Sequence, residues 1–416
     1  MKAAFKTELT LLCRSAARAS ASPWRGEAGA EGAGGGDWRR KGTPLLTSPP
    51  PGGRKKIMPR PAAIGAAYRR SDKVVLSVFL FLAATLFAGP APARAGALRV
   101  CATAPDLGEL ARTVGGPAVD VTVFAKGPED AHFVEARPSF IKALSRCGLY
   151  IQVGLELEVG YAPLLLQNSR NADIQRGAKG YLDASSAVTP LEVQTSPVDR
   201  SMGDVHPYGN PHYLLDPLNG LVVAGLIRDR LGELVPDRKL LFEENFGRFE
   251  KDLAAALVGP KLSARFEAAK LAGLVREKKL AAFLKEQKAE GDLGGWLGAV
   301  APYAGTKVVA DHNLWAYFTA RFGLVVAAFL EPKPGVPPTT AHLREVVAKM
   351  NAEKIGVIFR SVYFDPRSAR FVAEHTGARV AAVAHQSGAM PGTEGYLKMI
   401  DYDVREFLRA AGEKHE

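Results

Sequence analysis

In the first part of the chain that has a regular pattern, segments with the hydrophobic pattern of β-strands alternate with segments that have the pattern of α-helices. Short apolar runs typical of buried strands occur at 98–105, 119–127 and 149–154. Helical patterns at 106–116 and 140–148 separate them, and Ser139 is the predicted N-cap of the second helix. Strands that alternate with helices predict a parallel sheet with right-handed crossovers.

The same alternation restarts in the last third of the chain. Predicted strands at 306–311, 324–330, 355–360 and 379–384 are separated by helical patterns, and a final helical pattern covers 395–412. Between the two alternating regions, apolar residues recur at helical spacing throughout 235–259. The predicted fold class is therefore α/β, with two αβ lobes of parallel sheet joined by one long helix and a cleft between the lobes.

These patterns divide the chain into six segments. The leader comprises 1–57, which is disordered or precedes the true start at Met58, and a signal peptide at 58–95. The N-terminal lobe is 96–234, the linking helix 235–259, a charged helical insertion 260–299 and the C-terminal lobe 300–416. A helix also starts at Asp216-Pro217, with Asp as N-cap and Pro in the first turn.

The leader predicts export. The apolar run 73–89 follows the basic stretch YRRSDK and precedes Ala93-Arg94-Ala95, a small-x-small cleavage site. The run approaches spanning length, so a permanent anchoring helix is the alternative. Neither mature cysteine follows the small-residue pattern of a lipid-attachment site, and the predicted product is periplasmic without a lipid anchor.

Charge and cysteine content further restrict the possible classes of function. Residues 1–95 hold 16 Lys and Arg against 5 Asp and Glu, so the whole net charge of +11 lies in the leader. The balanced remainder argues against a nucleic-acid partner. Cys101 and Cys147 would meet an oxidising compartment, where either a disulfide or two buried thiols is compatible with the sequence.

Four histidines fall in loops at strand ends or helix starts. His132 follows the predicted second strand, His212 lies in the Gly/Pro loop before Asp216, and His312 and His385 each follow a strand of the second lobe. Imidazole is the commonest zinc ligand, and their wide spacing excludes a zinc finger but permits a site assembled from two lobes. A loop histidine also commonly makes only a surface hydrogen bond, so spacing alone leaves both interpretations open.

Several segments resemble the periplasmic solute-binding proteins of zinc and manganese ABC importers, the ZnuA/TroA-like family. They are AHFVEARPS, VGLELEVGYAPLLLQNSRN, GNPHYLLDP, ADHNLWAYFTARFGL and YLKMIDYDVREFL, and the similarity spans about 97–258 and 300–412 in the family's order. The resemblance implies two αβ lobes bridged by a rigid helix, with one metal ion between them. It also implies that His132, His212 and His312 are the first three metal ligands.

The fourth ligand departs from the family pattern. The family supplies an Asp or Glu after the last strand, whereas this chain reads AVAHQSGAMPG there, so His385, a water or another carboxylate takes that place. His206 is predicted as an accessory residue, with a plain loop role as the alternative. Arg137 is expected to hold the His132 loop through backbone carbonyls, and Trp315 and Tyr317 are expected to pack the lobe or shield the site.

A site rich in imidazole favours Zn²⁺ over Mn²⁺, which remains the alternative cargo. The predicted function is a monomeric, non-enzymatic receptor that delivers one metal ion to an ABC permease. No Walker A pattern is present, so the ATPase is expected to be a separate subunit. A zinc-dependent hydrolase with an open coordination position is the rival interpretation, although the sequence has no H-E-x-x-H motif. A surface adhesin, a role attributed to some family members, is disfavoured by the missing lipid anchor.

Overall fold

The structure is a computed structural model that describes residues 96–195, 206–333 and 335–412. The predicted disordered segment, signal peptide and cleavage site lie outside these residues. Within the described ranges, no helix is both long enough and apolar enough to cross a membrane.

The first sheet has four parallel strands in the order β2-β1-β3-β4. The strands are β1 Leu98–Ala102, β2 Val119–Val123, β3 Leu149–Gln152 and β4 Tyr181–Asp183. The first three confirm the predicted strands. Because β4 has only three residues, its hydrophobic pattern is too short to be recognised in the sequence.

The second sheet repeats this arrangement. Its four parallel strands have the order β6-β5-β7-β8 and are β5 Lys307–Ala310, β6 Val325–Phe329, β7 Val357–Ser361 and β8 Arg379–Val383. The prediction of two αβ lobes with parallel sheets is therefore confirmed. In such sheets the loops at the carboxyl ends of neighbouring strands share one edge, which is where ligands bind.

Helices cover the two sheets and also lie in the chain segment that connects them. Their bounds are α1 Pro105–Gly115, α2 Pro138–Leu144, α3 Ala162–Ser169, α4 Pro217–Leu234, α5 Lys239–Val258, α6 Pro260–Arg265, α7 Ala268–Arg276, α8 Leu280–Glu286, α9 Gly295–Val300, α10 Ala316–Phe322, α11 Thr340–Glu353, α12 Pro366–Thr376 and α13 Tyr396–Ala411. The 20-residue α5 lies within the segment predicted as the linking helix. Its rigidity, the cleft and the segment boundaries remain predictions.

Two predicted helix starts have different outcomes. Asp216 caps α4 by accepting a hydrogen bond from Leu218 N, and Pro217 occupies the first turn, as predicted. Ser139 is not the N-cap of α2. Pro138 already occupies the first helical position, since its fixed φ suits it to that place, so Arg137 is at the N-cap position and Ser139 lies within the helix.

The loops after β2 and β8 pack directly against each other. Gln386 Nε2 donates hydrogen bonds to the carbonyl oxygens of Lys126, Gly127 and Glu129 at 2.7–3.0 Å. A Cβ added to Gly127 would lie 2.1 Å from the backbone carbon of Gly388. The two lobes therefore meet backbone to backbone here, where no larger residue than glycine fits.

A second contact between the lobes is a buried ion pair. Arg321 on α10 donates from Nε and Nη2 to the two carboxylate oxygens of Asp216 at 2.8 and 2.7 Å. The two side chains are 14% and 9% exposed, so solvent screens this pair little. It fixes the loop that precedes α4 against the C-terminal lobe.

We predict that Gly127→Ala destabilises the protein, because its methyl group forces the two loops apart. The expected loss in free energy of unfolding is about 1–3 kcal/mol, measured by urea denaturation. The control is Gly247→Ala in the interior of α5, where an added Cβ meets nothing within 4 Å. That change should raise the free energy of unfolding by about 0.5–1 kcal/mol. Equal stability of the two variants would contradict the packing described.

Candidate metal centre

The four predicted metal ligands all lie in loops at the sheet edge or directly before a helix. His132 is in a 3₁₀ turn, Ala131–Phe133, after β2, and His212 directly precedes the turn Tyr213–Leu215 that leads into α4. His312 follows β5 by two residues, and His385 follows β8 by two residues. The N-terminal part thus contributes two of these histidines and the C-terminal sheet two.

Three of these rings form a contiguous set across the two lobes. The ring centroids of His132 and His212 are 5.2 Å apart, and those of His212 and His312 are 6.4 Å apart. Two imidazoles bound to one tetrahedral Zn²⁺ have centroids about 5 Å apart, given a Zn–N distance near 2.0–2.1 Å. The first pair has this separation, whereas His312 has to move closer by roughly 1 Å to share the ion.

A fourth ring, His206, joins the set from the N-terminal part. Its Nε2 lies 3.1 Å from Nε2 of His132, and the two ring centroids are 5.2 Å apart. The sequence predicted only an accessory role for His206. The structure places it as close to His132 as His212 is.

His385 has different neighbours. Its Nε2 lies 3.1 Å from the Glu129 carbonyl oxygen, so this nitrogen donates its hydrogen there. Its Nδ1 is buried and has no hydrogen-bond partner. The ring packs edge-on against Tyr363, with centroids 4.6 Å apart. Only Nδ1 is therefore available to a ligand.

A cavity of about 40 Å³ lies beside these rings, and its lining includes Asp106, His132, His212 and His385. This volume accommodates one water molecule or one metal ion. Among the described His, Cys, Asp and Glu side chains, no group of three or more is already arranged to hold a metal ion. Binding at this site therefore requires the rings to shift from the positions seen here.

Two carboxylates, which the sequence analysis missed, orient the rings. Asp130 accepts a hydrogen bond from Nδ1 of His132 at 2.7 Å, and Glu331 accepts one from Nδ1 of His312 at 2.6 Å. Because an ionised carboxylate only accepts, each ring carries its hydrogen on Nδ1 and keeps the Nε2 lone pair free. Glu331 lies two residues after β6, so the strand-end criterion applied to the histidines would also have selected it.

A hydrogen-bond network links the His212 loop to the His312 loop. Asn210 accepts a hydrogen bond from His212 N and donates from Nδ2 to the carbonyl oxygen of Asn313, at 2.9 and 3.0 Å. Glu192 accepts hydrogen bonds from both asparagines. Asn210, which is also buried, therefore positions two of the ring-bearing loops relative to each other.

The three predicted supporting residues lie close to these loops. Tyr317 donates its hydroxyl hydrogen to the Asn210 carbonyl at 2.8 Å, and Trp315 is fully buried against Phe318 and Phe359. Both contacts agree with a packing role. Arg137 donates to the Glu135 carboxylate at 3.3 Å, and its expected bonds to carbonyl groups of the His132 loop stay a prediction.

The remaining described histidines make local contacts. His342 Nε2 lies 3.1 Å from the Phe329 carbonyl, and His375 Nδ1 lies 2.8 Å from the Phe371 carbonyl. His415 lies outside the described residues. Cys101 and Cys147 are buried free thiols, and the two side chains interact with each other.

Burial keeps several of the clustered rings neutral. Desolvation, followed by the influence of His132, lowers the pKa of His206 to about 4 and that of His212 well below its usual value. Desolvation likewise lowers the pKa of His385 to about 4. Neutral imidazole is the form that binds a metal ion, so these rings have no proton to release at neutral pH.

Comparisons with known proteins identify the family and the relatives that this chain resembles. The family model for "Zinc-uptake complex component A periplasmic" matches residues 100–286 and 277–410. The chain is similar to the high-affinity zinc uptake system protein ZnuA of Yersinia pestis, with 24% identity over 290 residues that cover 66% of this chain and 78% of the relative. It is also similar to the manganese ABC transporter substrate-binding lipoprotein PsaA of Streptococcus pneumoniae serotype 4, with 22% identity over 313 residues, 74% of this chain and 87% of the relative.

A crystal structure of ZnuA superposes with a TM-score of 0.56 at 21% identity, covering 76% of this chain and 99% of that one, which shows a shared fold. The fold and the histidine cluster define a two-lobed α/β protein of the solute-binding class. Because the family model matches more than half of its length, this chain belongs to the family of periplasmic zinc-uptake components.

A buried acid beside the cavity gives a pH-dependent prediction. Asp106 accepts hydrogen bonds from Ser387 N and Oγ at 2.7 and 2.6 Å, while burial raises its pKa to about 6 from 3.8. The folded protein therefore binds more protons than the unfolded chain between these values, so this group's contribution to stability falls as pH rises through that window. At pH 7.5 the cost is about 3 kcal/mol.

We predict that Asp106→Asn removes this cost, since the amide oxygen still accepts from Ser387 but cannot ionise. The variant should unfold at a higher temperature than the wild type at pH 7.5, and at the same temperature at pH 4. Thermal unfolding at the two pH values checks this. A variant less stable than the wild type at pH 7.5 would contradict the assignment.

Proposed function

We propose that this protein is a receptor that binds one divalent transition-metal ion and delivers it to an ABC permease. One observation carries the proposal: His132, His212 and His312 come from separate segments and their rings lie close together. Hydrogen-bonded carboxylates orient two of these rings. A carboxylate on Nδ1 sets the tautomer that leaves Nε2 free for a metal, a common arrangement around metal-binding histidines.

The proposed cargo is Zn²⁺, with Mn²⁺ as the alternative. Asp130 and Glu331 are each hydrogen-bonded to a ring nitrogen, so the donors that face the centre are imidazoles. Imidazole donors suit zinc, whereas manganese prefers carboxylate and carbonyl oxygens. The two curated relatives described above are named for different metals, one for zinc and one for manganese.

The fourth coordination position has two candidate imidazoles. His385 is the ligand predicted from the sequence, and its unpartnered Nδ1 supports that prediction. His206 faces His132 across 3.1 Å. The core of His132, His212 and His312 does not depend on which of these two rings completes it.

A transport role fits this chemistry better than hydrolysis. A zinc hydrolase needs a free general base beside the metal-bound water. The carboxylates beside the rings are instead engaged in hydrogen bonds: Asp130 and Glu331 accept from ring nitrogens, and Asp106 on the cavity wall accepts from Ser387. The relatives are named as transport components, and we propose that this chain is likewise not an enzyme.

The setting of the proposed receptor is the periplasm, which the family's description names. Its partners would be a membrane permease and a separate ATPase subunit, and we propose that it acts as a monomer without a nucleic-acid partner. The absence of a lipid anchor is no part of this proposal, because the streptococcal relative is named as a lipoprotein.

The first test is metal binding by the metal-stripped protein. Isothermal titration with Zn²⁺ at pH 7.5 should give one ion per chain, and His312→Ala should weaken binding at least about tenfold because an imidazole donor is lost. His342→Ala, which removes a histidine whose ring contacts the Phe329 carbonyl, is the matched control and should leave binding unchanged. Wild-type protein that binds neither Zn²⁺ nor Mn²⁺ would end the proposal.

The second test removes the charge that orients each ring. Asp130→Asn and Glu331→Gln should each weaken zinc binding about 10- to 100-fold, the usual effect of losing such a partner. Glu353→Gln is the control, since that carboxylate pairs with Lys307 on the surface at the other end of β5. The measurement is competition with a chelating dye. Unchanged affinity in both variants would show that these carboxylates do not set the ring tautomers.

A further inference from the structure

The position of His206 is unusual for a loop residue that has no binding role. Its ring is partly buried among other imidazoles, and its Nε2 is directed at Nε2 of His132 at 3.1 Å. Two nitrogens bound to one tetrahedral Zn²⁺ are about 3.3 Å apart, from the usual Zn–N distance. The spacing of these two atoms is therefore close to that of two ligands of one ion.

The hydrogen bonds of His132 support the same interpretation of this spacing. Its Nδ1 donates to Asp130, so its Nε2 presents a lone pair towards His206. His206 also has a hydrogen bond with the Leu155 backbone. An ion that replaces the contact between the two Nε2 atoms would satisfy both nitrogens without turning either ring away.

His385 is less well placed for the same role. Its Nε2 already donates to the Glu129 carbonyl, and the adjacent Gln386 anchors this loop to three carbonyl groups of the other lobe. Only Nδ1 is left to approach an ion, and moving the ring would break the bond to Glu129. Binding through His206 exchanges its contact with Nε2 of His132 for the ion and leaves the hydrogen bonds of the loop after β8 intact.

We propose that His206 is a direct ligand and completes, with His132, His212 and His312, a centre of four imidazoles. The proposal rests on the proposed metal-receptor function and deepens it by naming the residue that sets metal preference. Four nitrogen donors select zinc and disfavour manganese, magnesium and calcium, which bind through oxygen. His385 then acts as a structural residue that holds the loop after β8 to Glu129.

The test identifies the bound nitrogens residue by residue. Long-range ¹H–¹⁵N correlation spectra of the histidine rings, recorded with and without one equivalent of Zn²⁺, report which nitrogen is bound to the metal. His206→Gln, His385→Gln and the exposed-site control His375→Gln assign the signals. On zinc addition the Nε2 signal of His206 should shift to the metal-bound range, while Nδ1 of His385, the nitrogen without a hydrogen-bond partner, should keep its metal-free shift.

Affinity gives a second readout. His206→Gln should weaken zinc binding at least about tenfold, and His206→Asp should narrow the preference for zinc over manganese, because an oxygen donor replaces nitrogen. His375→Gln should change neither. Wild-type protein that binds zinc while the His206 nitrogens keep their metal-free shifts would overturn this inference alone. Wild-type protein that binds manganese but no zinc would likewise overturn this inference, and protein that binds neither metal would overturn the proposed function.

Discussion

The candidate centre depends on keeping several imidazole rings together and uncharged, with the ring centroids of neighbouring pairs 5.2–6.4 Å apart. Protonated rings at that separation would repel, and the buried positions of His206, His212 and His385 disfavour charge by desolvation. The same burial keeps these rings in the neutral form, which is the form that binds a metal ion. The fold therefore favours metal binding by the cluster.

The rest of the fold serves to hold that cluster. The two sheets have the same strand order, and each lobe contributes histidines in loops that follow its strands or precede a helix. Asn210 ties the His212 loop to the His312 loop, while the Asp216–Arg321 pair fixes the start of α4 against the second lobe. These contacts explain how residues 80 and 100 positions apart in the sequence become neighbours.

The sequence was informative where local pattern decides structure. Apolar runs separated by helical patterns predicted both parallel sheets. Placement at strand ends or helix starts made His132, His212, His312 and His385 candidates, and the family resemblance implied the first three as ligands. Asp130, Glu331 and Asn210 were missed, since their roles depend on which side chains meet after folding. Ser139 was misjudged because Pro138 competes for the helix start. His206 was underrated because nothing in its loop sequence shows that it faces His132.

If rings from both lobes bind one ion, a crystal structure of the zinc-loaded protein with anomalous data at the zinc edge will show it. One anomalous peak is expected within about 2.0–2.1 Å of Nε2 of His132, His212 and His312. A peak bound by the residues of a single lobe, with the rings of the other lobe left in their metal-free positions, would contradict it.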